Sequence, residues 1–83
     1  MRIDDSLVRE LLNAPADDTV LVLLEGRAQV VDRAALDNER YHGAAVLMSR
    51  AEVVERLGTS SPADDDVRRL AASLQDAVDK LGA

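Results

Sequence analysis

Apolar residues near the start of the chain recur at helical spacing. Leu7, Val8, Leu11 and Leu12 fall on one face of segment 4–13, the pattern of an amphipathic helix. Asp4, Asp5 or Ser6 can cap its start and Pro15 stops it, since proline can neither donate to the helical ladder nor clear the preceding turn. The period then changes. Val20-Leu21-Val22-Leu23-Leu24 is apolar without alternation, which predicts a strand over Thr19–Leu24 covered on both faces and central in its sheet. Glu25-Gly26-Arg27 puts a glycine able to take positive φ before Ala28-Gln29-Val30-Val31, so the two runs predict a β-hairpin over 19–31.

From Asp32 a polar segment enclosing Ala34, Ala35 and Leu36 predicts a short helix ending near Tyr41-His42-Gly43. Ala44–Met48 predicts a third strand. Ser49, with Glu52 three residues later, forms a capping box that opens a helix carrying Val53, Val54 and Leu57, and Gly58 closes it. After the polar break Thr59-Ser60-Ser61, Pro62 suits the first turn of a last helix, 62–81, with Ser61 as its cap. Val67, Ala71, Leu74, Val78 and Leu81 form a seam along that helix, widened by Leu70 and Ala77. Asp64 with Arg68, Asp65 with Arg69, and Asp76 with Lys80 form i,i+4 pairs on the opposite face. So short a seam is too little for an independent coiled coil, so the helix packs either across the chain's own sheet or on a partner. Val67, Leu70, Ala71, Leu74, Val78 and Leu81 are accordingly the candidate interaction residues. The element order α-β-β-α-β-α-α reads as a small α+β (or α/β) fold, a sheet of about three strands packed by three to four helices.

At 83 residues the chain has room for one core, which predicts a single domain over 1–83. It has no cysteine, which removes disulfides and thiolate chemistry, fits a reducing cytoplasm and leaves homodimerisation as the extra source of stability for a small core. Tyr41 is the lone aromatic residue, so aliphatic side chains build the core and base-stacking platforms are missing. Of the ten cationic residues only Lys80 is not Arg, the usage of a GC-rich bacterial genome. A net charge of −6 opposes a nucleic-acid partner, whose phosphates demand Lys and Arg. The start Met1-Arg2-Ile3-Asp4-Asp5 lacks the apolar run of a signal peptide, and no later run approaches a membrane span.

Chemistry finds little to work with. His42, flanked by Tyr41 and Gly43, is the one group poised by its ordinary pKa for acid–base work near neutrality, and would centre any ligand-binding or enzymatic activity. No serine sits in a nucleophile elbow, and Gly26, Gly43, Gly58 and Gly82 are too isolated for a phosphate loop. Asp4-Asp5, Asp17-Asp18 and Asp64-Asp65-Asp66 lack the alternation and central glycine of a calcium loop, and the last of these suits the first turn of a helix. No cofactor, metal or catalytic residue is therefore assigned. The chain reads as a non-catalytic interaction or regulatory module, homodimeric or bound to another protein through its C-terminal helix.

The segment Gly43-Ala44-Ala45-Val46-Leu47-Met48-Ser49-Arg50-Ala51-Glu52-Val53 resembles the strand-to-helix core of Phd/YefM-type antitoxins. The resemblance implies a small dimeric repressor whose C-terminal segment wraps a toxin, with DNA contacts drawn from Arg2, Arg9 and their symmetry mates. An additional strand and a linking stretch precede the motif here, and the N-terminus is otherwise poor in basic residues.

Overall fold

The computed structural model describes residues 3–80. Helix α1 (Asp5–Leu12) opens with the Asp4 side chain accepting from the N–H of Leu7. Asp4 is therefore the cap, and Ser6 lies inside the helix. Strands β1 (Val20–Leu24) and β2 (Arg27–Val31) form the expected antiparallel hairpin. Glu25 and Gly26, at φ 52° and 77°, make the two-residue turn whose twist matches that of the flanking strands. Strand β3 (Ala45–Ser49) pairs antiparallel with the other side of β1, giving the order β2-β1-β3. β1 is central, as its unbroken apolar run predicts.

That order forces a crossover. β2 and β3 both oppose β1 and so run in the same direction, and segment 32–44 must return the length of a five-residue strand, about 17 Å, while passing over β1. It does so as two 3-10 turns, Arg33–Asp37 and Glu39–Tyr41, where a single short helix was expected. Nine residues rise about 18 Å as 3-10 helix but only about 13 Å as α-helix, so the return favours the stretched form. Asn38 divides the two turns in extended backbone, its side chain accepting from the N–H of Arg40, a local bond that competes with helix continuation.

Helix α2 (Arg50–Leu57) starts directly from β3 with both halves of the Ser49/Glu52 capping box formed, and ends on Gly58 in the left-handed conformation. Helix α3 (Asp64–Lys80) begins later than expected. The Ala63 carbonyl accepts from the N–H groups of Asp66 and Val67, whereas Ser61 donates its own N–H to the Thr59 hydroxyl and caps nothing. Two of the three expected ion pairs on α3 shift register, Asp65 to Arg68 and Asp66 to Arg69, while Asp76–Lys80 forms at 3.1 Å and Asp64 pairs with Arg9 of α1.

The main core lies between the helices and one sheet face. Val8, Leu11, Leu21, Val53 and Val67 are fully enclosed there, joined by Leu12, Ala28, Met48, Leu70, Ala71 and Val78. Between Leu21↔Met48 and Val22↔Val46, Leu47 is an extra residue on β3, a bulge that sends it and Met48 to the same helical side. The outer face holds a second cluster of Val20, Val22 and Val31 under Ala35, Leu36, Tyr41 and Ala44 of the crossover.

Candidate functional site

The interaction residues read from the C-terminal helix lie mostly inside the molecule. Val67, Leu70, Ala71 and Val78 are buried, and Leu74 is partly buried against the same cluster. Leu81 lies outside the described residues. α3 packs chiefly on α1, so its seam stabilises the chain's own fold.

The residues with chemical potential are dispersed. His42 is exposed at the end of the second 3-10 turn, while Tyr41 turns inward to the outer-face cluster with the Arg40 guanidinium 5.9 Å from its ring centre. No hydrogen bond joins the His42 side chain to an acid or nucleophile among the described residues. Nor do three His, Asp or Glu side chains converge there as metal ligands. A groove of about 740 Å³ runs between α1 and the end of β2, lined by Ser6, Arg9, Glu10, Asn13, Thr19 and Asp32. Its one unusual member is Thr19, 2% exposed, whose hydroxyl is enclosed without a hydrogen-bond partner. Arg9, required for a DNA-contacting patch, is held by Asp64, and Arg2 lies outside the described residues.

Arg50 carries a structural role that the sequence reading missed. Its Nε donates to the Leu12 carbonyl at 3.0 Å and its terminal nitrogen to Asp17 at 2.5 Å, while its backbone N–H donates to Thr19 and that of Ala51 to Asp17. One side chain thus ties the α1–β1 loop to the β3–α2 junction. A signal was present: a cation at the first position of a helix opposes the helix dipole and calls for a compensating contact.

The edge strand β3 stands apart from the rest of the surface. Val46 is 49% exposed, the single large hydrophobic residue so placed among those described. Residues 43–49 contain no charged side chain and no proline, two of the devices that blunt a sheet edge, and carry only the bulge at Leu47. Charge is distributed to match. Segments 3–24 and 50–80 hold twelve carboxylates against six basic groups, whereas 25–49 hold four against three. The opposite edge, β2, is bracketed by Glu25, Arg27, Asp32 and Arg33 and leaned on by α1.

No family model, no curated protein and no solved structure matches the chain. Among the described residues no helix is long and apolar enough to cross a membrane.

Proposed function

We propose that the chain is a non-catalytic protein-interaction module whose working surface is the β3 edge, with Val46 exposed beside it. The observation that supports it most directly is Val46, half-exposed on an uncharged, proline-free edge strand in a chain of net charge −6. An edge strand offers a partner unpaired backbone N–H and C=O groups, and its alternate side chains select among partners. The partner is protein, because the acidic surface repels polyanions, and the module acts by occupying that partner or by assembling with it.

Photo-cross-linking from two positions of the full chain in its own cells tests this reading. A photoreactive side chain at position 46 is expected to yield protein adducts, and the same group at Ala72, exposed on α3, is not. Adducts from position 72 alone, or from neither position, would overturn it.

A further inference from the structure

Resting on that reading, we infer that the partner seated on β3 is a second copy of this chain, the two β3 edges pairing antiparallel about a two-fold axis at Val46. Two observations converge on it. The first is charge: a second copy carries the same excess of carboxylates over its helical layer, so two copies approach with least repulsion through the stretch that bears none, residues 43–49. A basic partner would instead be drawn to the helices.

The second is side-chain register. Val46 lies on the outer face with Val22, and Ala45 on the helical side with Leu23. Only residues on the same sheet face can stand opposite one another in a strand pair. A two-fold axis at Val46 meets this condition, placing Val46 against its own copy and Ala45 against Leu47, which also faces the helical side. The one exposed large aliphatic is thereby covered by itself, as an isologous contact requires. The bulge ends the alternation at Leu47 and so limits the pairing to the first part of the strand.

In such a pair the sheet grows from three strands to twice that number.

Sedimentation of the purified full chain decides the matter. The wild type is expected at twice 9.0 kDa. Val46→Lys sets two like charges across the axis and should raise the dissociation constant at least about tenfold with an unchanged circular dichroism spectrum, whereas Ala72→Lys should dimerise as the wild type does. Val46→Cys supplies a second readout. Directly opposed residues hold their Cα atoms about 4.5–5.5 Å apart, within disulfide reach, so mild oxidation should give a covalent dimer. A wild type monomeric throughout the micromolar range, a Val46→Lys protein that dimerises as tightly as the wild type, or a Val46→Cys dimer that does not cross-link would each overturn the inference. If the wild type is monomeric while position 46 still cross-links to other proteins in cells, the interaction reading stands and self-pairing alone fails.

Discussion

Replacing Arg50 by methionine keeps much of the aliphatic stem and removes the guanidinium that fastens the α1–β1 loop to the head of α2. The charge-assisted bond from Nε to the Leu12 carbonyl, made by a side chain 19% exposed, is worth about 1.5–3 kcal/mol. The Asp17 contact adds less, at most about 1 kcal/mol, because that carboxylate is 77% exposed and screened by water. Against both stands the cost of a cation in the first turn of a helix, about 0.3–1 kcal/mol, which the substitution relieves. The net expected loss is about 2 kcal/mol. A chain of this length commands a stability of about 4–12 kcal/mol, so the transition should move down by about 8–16 °C. Urea titration followed by circular dichroism measures the difference, with Asp17→Asn as the control that removes only the exposed partner and should cost less than about 1 kcal/mol. A Val46→Lys background keeps self-association out of the measurement. If Arg50→Met lies within about 0.5 kcal/mol of its parent, or if Asp17→Asn costs as much as Arg50→Met, the bond to Leu12 does not hold the junction and the reasoning is refuted.

Four further substitutions have outcomes that circular dichroism can follow. Ser49→Ala removes half of a formed capping box and should cost about 1 kcal/mol, while Ser61→Ala, at a residue that caps no helix, should stay within about 0.5 kcal/mol. Thr19→Val exchanges an enclosed, unpartnered hydroxyl for a methyl of similar shape and should stabilise by about 1 kcal/mol; a loss would show that the hydroxyl has a partner in solution. Leu74→Asp presses a carboxylate against the core cluster and should cost about 2–4 kcal/mol, seen as a lowered melting temperature, and an unchanged melting temperature would show that the α3 seam is not needed for folding.

Elements whose signal is local were legible from the residues alone. The hairpin, the central place of β1, the capping box at Ser49 and the glycine stop at 58 each depend on a few adjacent side chains, and short-range chemistry decides them. What was misread depends on topology. Residues 33–41 have the composition of a helix, and nothing within the segment announces that it has to span a crossover, so the two 3-10 turns follow from the strand order and not from propensity. The start of α3 slipped for a related reason, because Ser61 and Pro62 satisfy every local rule for a helix start and the chain still waits until Asp64, the residue whose carboxylate reaches Arg9 on α1.

The seam of α3 follows the same logic. A seam such as Val67, Leu70, Ala71, Leu74 and Val78 states that one helix face needs cover, and says nothing about which molecule supplies it. Once α1 and the sheet cover that face, the question passes to whatever apolar surface the fold leaves open. Among the described residues that surface is on β3, because of the strand's position. The run Ala45-Val46-Leu47-Met48 would suit an interior strand, and the order β2-β1-β3 places it at an edge. A bulge turns Leu47 and Met48 inward, yet Val46 still faces out with no charge near it along the strand. An edge sequence with the character of an interior strand is the kind that the proposed pairing would complete.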